Sequence, residues 1–228
     1  MHDALYNWGN TLYRQAKTKT GEEAGKLFTL AGEKYARALE IKPDMHEALR
    51  HSGLALFARA QSKTGEEADR LLTLAGEKYA AALNIKPDQH EVFNDWGNAL
   101  FAKAKIKTGE ERDKLLTLAG EKYAAALEIK PDKYLAFCNW GDALAAQAET
   151  KTGEEADKLF ALAEEKYAAA LNIEPDDYET LYNWGHTLVI QAKTKTGGLA
   201  FNLWKLGHQK MAEAIKLMKK RQDNIRQD

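Results

Sequence analysis

The chain has 228 residues, 29% of them charged, and its 33 basic and 34 acidic residues leave a formal net charge of −1. This balance lacks the basic surplus that favours nucleic acids or anionic membranes, so we expect neither as a partner. The single cysteine, Cys138, cannot form an intramolecular disulfide, and no segment approaches about 18 consecutive apolar residues. With no signal peptide evident, these features predict a soluble, cytoplasmic protein.

A period of 44 residues runs through the whole sequence. Proline keeps this spacing at Pro43, Pro87, Pro131 and Pro175, and glycine keeps it at Gly9, Gly53, Gly97, Gly141 and Gly185. Self-similarity at such a period is typical of a stacked-repeat protein. We therefore expect a single array with repeats at about 1–43, 44–87, 88–131, 132–175 and 176–219, and a polar C-terminal tail at 220–228.

Each repeat predicts two helices. In the third copy, apolar residues with helical spacing form one set from Phe93 to Ala104 and a second set from Leu115 to Ile129. We name the two elements helix A and helix B. Five repeats then give ten helices and no strand.

The helix boundaries are predicted by capping residues and prolines. Helix A is expected to begin with an N-cap aspartate, as at Asp44, Asp88 and Asp176, and helix B with a threonine, as at Thr20. The prolines end helix B because proline lacks an amide proton.

Tryptophan precedes the periodic glycine at Trp8, Trp96, Trp140 and Trp184, whereas the second copy has Ser52. A glycine within a helix costs about 1 kcal/mol relative to alanine, so we expect each one to permit close helix packing. Gly32, Gly76 and Gly120 on helix B receive the same interpretation. The Trp-Gly pairs and the periodic tyrosines, such as Tyr123, are predicted to form the core.

The repeat resembles the tetratricopeptide repeat. YNWGNTLYRQA at 6–16 is similar to the helix A of that family, and AGEKYARALEIKPD at 31–44 is similar to its helix B. Ten extra residues between Tyr13 and Ala31 extend the usual 34 to 44. The resemblance implies an all-α fold, an α-solenoid of five stacked antiparallel helix hairpins. The copies are also alike enough to suggest either a fragment of a longer natural array or a designed repeat protein, and its partner is then a second copy or a designed subunit.

No catalytic constellation is evident. Cys138 and Asp142 share a helix face, but no histidine occupies a partner position. His2, His46 and His90 lie one repeat apart, which is too far for a shared metal ion. We therefore expect no enzymatic activity, no metal and no cofactor.

The resemblance implies that helix A lines a concave groove, so its variable positions are candidates for binding a peptide. A peptide-binding adaptor is one hypothesis, although unconstrained drift also produces such variation. Tyr6 stands where the carboxylate-clamp branch of the family has its first lysine, so we expect no clamp of that kind. The groove candidates are Tyr6, Asn10, Tyr13, Arg50, Phe57, Asn94, Asn98, Phe101, Asp142, Tyr182 and His186.

The fifth copy departs from the others in a directed way. It reads TGGLAFNLW where the other copies are acidic, and it is more apolar near its turn, whereas a terminal repeat is expected to be more polar. These residues either fold back on the fourth repeat or form a patch that contacts a protein partner or a second copy. Our leading interpretation is an assembly scaffold that forms a homo-oligomer through Val189, Ile190, Leu199, Phe201, Trp204 and Met211.

Overall fold

In the computed structural model, which describes residues 1–225, the chain forms ten α-helices and no strand within that range. This confirms the predicted all-α class of helix hairpins. The final helix continues to Ile225, so residues 220–225 of the predicted tail are helical, and residues 226–228 lie outside the described part. The helices are α1 His2–Lys17, α2 Gly21–Ile41, α3 His46–Ala60, α4 Gly65–Ile85, α5 His90–Ala104, α6 Gly109–Ile129, α7 Tyr134–Ala148, α8 Gly153–Ile173, α9 Tyr178–Ala192 and α10 Gly197–Ile225.

The helices form two compact units. The first, Met1–Ile129, contains α1 to α6, and the second starts at Lys130 and contains α7 to α10. Within each unit, every helix packs against its neighbours in the chain, and α1, α3 and α5 also contact one another in sequence, as do α7 and α9. A helix B such as α4 therefore lies between the helix A of its own repeat and the helix A of the next repeat.

The turn from helix A to helix B depends on glycine. Gly21, Gly65, Gly109, Gly153 and Gly197 begin helix B with φ between 57° and 62°, a conformation that strains other residues. The preceding Thr20, Thr64 and Thr152 occupy the N-cap position as predicted, but their side chains make no capping hydrogen bond. The backbone freedom of glycine, rather than the threonine hydroxyl, therefore determines this turn.

The predicted aspartate caps of helix A are wrong by one residue. The N-caps are Met45, Gln89 and Asp177. The proline and the aspartate that precede each cap form a turn, so the helix begins one residue later than predicted. Of these three caps, only Asp177 accepts a hydrogen bond through its side chain, from the amide of Thr180 at 2.9 Å.

The core of each of the first four hairpins is a contact between a glycine and a tyrosine. Tyr35, Tyr79, Tyr123 and Tyr167 are at most 1% exposed. A methyl group on Gly97 would lie only 2.5 Å from Cε1 of Tyr123, and Gly9 and Gly53 have the same distance to their own tyrosines. The prediction that this glycine permits close packing is therefore confirmed, and the group that approaches is a tyrosine ring.

The tryptophans lie at the edge of the core rather than at its centre. Trp8 is 52% exposed, and Trp96, Trp140 and Trp184 are partly buried. A lysine of helix B lies over each ring, with Nζ to centroid distances of 3.3 to 4.5 Å, in cation–π contacts that are each worth about 0.5–2 kcal/mol. The prediction that the tryptophans form the core is therefore right only in part: Trp96 and Trp184 pack against buried clusters, whereas the fully buried ring against the glycine is the tyrosine of helix B.

We predict that Gly97→Ala destabilises the first unit by about 1–3 kcal/mol, because the added methyl group forces the Tyr123 ring away from the helix. Gly32 is the matched control. A methyl group there meets nothing within 4 Å, contrary to the close approach that we expected, so Gly32→Ala should stabilise the helix by about 0.5–1 kcal/mol. Urea unfolding followed by circular dichroism measures both, and equal midpoints for the two variants would contradict the prediction.

Candidate functional site

Three of the groove candidates accept hydrogen bonds from the buried tyrosines of their own hairpins. The buried hydroxyl of Tyr35 donates to Asn10 Oδ1 at 2.9 Å, and Tyr123 donates to Asn98 in the same way at 2.9 Å. In the second unit, Tyr167 donates to Asp142 Oδ1 at 2.8 Å. Because these three side chains already accept hydrogen bonds from the tyrosines, their oxygens have less capacity to bind a ligand.

Two further groove candidates are engaged between neighbouring A helices. The hydroxyl of Tyr6 lies 3.3 Å from Nδ1 of His51, and Arg50 Nε donates to Asp95 at 2.8 Å. Burial raises the pKa of the Asp95 carboxyl from its usual value, and the charge of Arg50 opposes that increase. His51 and Asp95 were not among the groove candidates. They occupy the same position in successive repeats, and the sequence alone shows that this position is polar in all five copies.

The remaining groove candidates are spread over both units. Tyr13 packs edge-on against Phe28 at 5.2 Å, Phe57 is partly buried beside Leu71 and Leu72, and Lys105 lies over Phe101 at 4.4 Å. Asn94 is also partly buried. Only Tyr182, which is 46% exposed, and His186 are classed as exposed, and both belong to α9.

Half of the fifth-repeat candidates are partly buried by contacts with other helices of the second unit. A methyl group on Gly185 would lie 2.6 Å from the carbonyl oxygen of Gly207 and 2.8 Å from Cγ of Met211, so α9 and α10 are nearly in backbone contact. A methyl group on Gly207 would meet Val189 at 2.8 Å, and Ile190 packs on a cluster that includes Phe160. Ile190 thus packs on the fourth repeat, as the fold-back alternative described, whereas Val189 and Met211 make contacts between the two helices of the fifth repeat.

The other three candidates are exposed, but they do not form one patch. Leu199 is 56% exposed, Phe201 is 60% exposed and Trp204 is 48% exposed. Phe201 and Trp204 stack with ring centroids 6.4 Å apart. The ring centroids of Trp204 and His208 are 4.1 Å apart. Leu199 is two residues before Phe201, so it points about 200° away around the helix. Only the aromatic residues share a face.

This aromatic stripe occupies the side of helix B that receives the next helix A in other repeats. In α4, the residues equivalent to Phe201 and His208 are Asp69, which pairs with Lys103 at 3.4 Å, and Gly76, against which Trp96 packs. Ile215 continues the stripe two turns further along α10. It shares a cleft of about 340 Å³ with Tyr182 and Met218. We define the terminal face as Tyr182, Phe201, Trp204, His208 and Ile215.

The described residues hold no group of three or more metal-ligating side chains of the His, Cys, Asp or Glu type. Cys138 is 5% exposed, and burial, with a smaller contribution from Asp142, raises the pKa of its thiol to about 12. The thiol is therefore protonated at neutral pH and is not an activated nucleophile. Within residues 1–225, no helix combines the length and the hydropathy that crossing a bilayer requires.

The 44-residue period and the Gly–Tyr hairpins define an all-α protein of tetratricopeptide-like repeats. Residues 84–224, more than half of the chain, match the family model of the plant-specific mitochondrial import receptor subunit TOM20. The chain therefore belongs to this family. A sequence search of curated proteins found no match.

Solved structures with the same fold agree with this class. The chain superposes on the MamA protein with a TM-score of 0.62 and 15% identity, covering 94% of each chain. It superposes on YrrB, a TPR protein described as having an unusual peptide-binding site, with a TM-score of 0.59 and 16% identity, covering 94% of this chain and 90% of YrrB. At these identities the likeness shows the fold alone.

The tyrosine hydroxyls give a test of the internal polar contacts. Tyr79 has Leu54 where the first and third repeats have asparagine, and its buried hydroxyl has no hydrogen-bond partner within the described structure. We predict that Tyr123→Phe costs about 1 kcal/mol, because it also leaves Asn98 without its donor. Tyr79→Phe should be neutral or stabilising, since it removes an unsatisfied polar group. Urea unfolding compares them, and an equal loss in both would contradict the assignment.

Proposed function

We propose that the chain is a non-enzymatic protein-binding scaffold that acts as a receptor and binds a helical segment of another protein on the terminal face. The observation that carries this proposal is the exposure of Phe201 and Trp204 on the side of α10 where other B helices receive a helix. Membership of the import receptor family supports a receptor role and a place of action at mitochondria.

The expected ligand is an amphipathic helix. In the first unit, α3 packs on α2 and α5 packs on α4, and in the second unit α9 packs on α8, so each of these B helices presents a surface shaped for a helix. A ligand helix with apolar residues at every third or fourth position would cover the stripe from Phe201 to Ile215. Full burial of one large apolar side chain contributes about 1.5–3 kcal/mol, so two aromatic anchors supply useful affinity.

The terminal face supports this role better than the predicted groove does. Asn10, Asn98 and Asp142 already accept hydrogen bonds from buried tyrosines, and Arg50 is paired with Asp95. Tyr182 and His186 are the groove candidates that remain exposed, and Tyr182 belongs to the terminal face.

Self-association through the same face is the second candidate function. Phe201 and Trp204 are stacked on each other, no helix within residues 1–225 covers them, and such surfaces usually mark interfaces. Two copies of α10 could pair about a two-fold axis, because a symmetric interface uses the same patch on both subunits.

The receptor proposal predicts saturable binding of a fluorescently labelled mitochondrial targeting peptide, measured by anisotropy. The double variant Phe201→Glu, Trp204→Glu should weaken binding by at least about tenfold, because it places charge in the apolar contact. Leu199→Glu is the control, since it places one such glutamate at an exposed leucine on the opposite side of α10 and should leave binding unchanged. Absence of binding by the parent chain, or an equal loss in the control, would reject the proposal.

Self-association predicts a mass in sedimentation equilibrium of twice the 25.5 kDa of the chain. The double variant should return to the mass of a single chain while its circular dichroism is unchanged, and Leu199→Glu should keep the parent mass. A parent chain that stays at 25.5 kDa at tens of micromolar would exclude this candidate.

A further inference from the structure

Neighbouring repeats are joined by a bridge between an acid and a lysine. Asp69, the fifth residue of α4, lies 3.4 Å from Lys103 Nζ and 3.3 Å from Lys107 Nζ, both contributed by the third repeat. Asp157 holds the same position in α8 and pairs with Lys195, the counterpart of Lys107. The bridge therefore recurs in both units at one fixed position.

The first repeat lacks this acid, so the bridge is missing at its junction with the second repeat. Gly25 stands at the fifth position of α2, and a methyl group there meets nothing within 4 Å. Arg59 and Lys63 are the counterparts of Lys103 and Lys107. Lys63 pairs with Glu67 at 3.1 Å, but within residues 1–225 no carboxylate pairs with Arg59. The lining of a cleft of about 720 Å³ includes Gly25, Arg59 and Ser62. The two carboxylates that also line it, Glu22 and Glu67, are each paired with a lysine. We call Gly25 and Arg59 the carboxylate socket.

A second departure lies beside the first. In the third repeat, Trp96 packs against Gly76 of the preceding helix B, and Lys122 lies over its ring at 4.2 Å. The second repeat has Ser52 in place of this tryptophan, so the facing Gly32 meets nothing within 4 Å.

Lys78 is the counterpart of the four lysines that lie over tryptophan rings. Within residues 1–225 it has no ring beneath it, and it lines a cleft of about 420 Å³ together with Gly32 and Ser52. We call Gly32, Ser52 and Lys78 the ring socket. The two clefts share Thr29 and Arg59, so the sockets adjoin.

We propose that this junction binds a peptide carrying an aromatic side chain and a carboxylate, which occupy the positions that Trp96 and Asp69 hold at the next junction. The guanidinium of Arg59 offers a planar pair of donors that matches a carboxylate. Lys78 offers a cation to the face of an aromatic ring. The ligand thus completes a pattern that the chain supplies for itself in the other repeats.

The spacing of the two sockets sets the length of the ligand. Gly25 and Gly32 are seven residues apart on α2, which corresponds to about 10 Å along the helix. An extended peptide covers that distance in about three residues. The ligand therefore carries its aromatic residue and its carboxylate three positions apart.

The probe is a fluorescein-labelled Trp-Ala-Ala-Asp peptide with an amidated C-terminus, titrated with the full chain and followed by anisotropy. We expect saturable binding, and at least tenfold weaker binding when Asp is replaced by Asn or Trp by Ala. A Trp-Ala-Ala peptide with a free C-terminus tests whether a terminal carboxylate serves as well as the aspartate side chain. If a terminal carboxylate serves as well, the two peptides bind with similar affinity. If the site requires the aspartate side chain, the Trp-Ala-Ala-Asp peptide binds at least tenfold more tightly.

Two variants fill the sockets with the residues of the third repeat. Gly25→Asp supplies the acid and Ser52→Trp supplies the ring, so each should abolish binding while the unfolding midpoint in urea stays equal or rises. Gly25→Ala is the control, because it adds no charge and should keep binding. The proposal is overturned if the parent chain does not bind the peptide or if Gly25→Asp leaves the affinity unchanged. It is also overturned if the Asn peptide binds as tightly as the Asp peptide.

This site is independent of the terminal face. It lies in the first unit, so the Phe201→Glu, Trp204→Glu variant should bind the Trp-Ala-Ala-Asp peptide as the parent does. The two proposals are therefore tested by separate variants, and the failure of one does not affect the other.

Discussion

The contact between a helix A glycine and a helix B tyrosine is the constraint on which the rest of the structure depends. Because glycine has no Cβ, the tyrosine ring can lie directly against helix A, and a methyl group at Gly9, Gly53 or Gly97 would lie 2.5 Å from a ring carbon. The ring is fully buried, and in three repeats its hydroxyl reaches an Asn or Asp on helix A. In the fifth repeat Met211 replaces the tyrosine, and Gly185 and Gly207 bring the two backbones together instead.

Once the tyrosine occupies the inner side of helix B, another side of the same helix is left for the next repeat. That side carries the small or acidic residues that accept a tryptophan and a lysine from the following helix A, as Gly76 and Asp69 do. The candidate surfaces are the places where this repeated pattern is broken. Gly25 and Ser52 leave clefts between the first two repeats, and Phe201 places an exposed aromatic ring on α10 where the other B helices have Gly or Asp.

Several interpretations of single residues depended on which neighbour a side chain would meet. The tryptophans were predicted as core because they precede the packing glycine, but Trp96 and Trp184 lie against the preceding helix B, under a lysine of their own repeat. Gly32 and Gly76 occupy the same position in the sequence pattern, yet only Gly76 faces a tryptophan. Asn10 and Asn98 were interpreted as ligand contacts, whereas the buried tyrosine hydroxyl uses them. In each case the deciding partner is 20 or more residues away in the sequence.

The sequence by itself determined the period of 44 residues, the ten helices, their pairing into hairpins and the resemblance to tetratricopeptide repeats. These properties follow from local spacing, from glycine and proline, and from the need of each hairpin to bury an apolar face. The tertiary structure decided which side of each helix is covered. Leu199 and Phe201 are near neighbours in the sequence but lie on opposite sides of α10, and Val189 and Met211 are partly buried because α9 and α10 approach so closely. Exposure depends on the elements that pack around a residue, and those are contributed by distant parts of the chain.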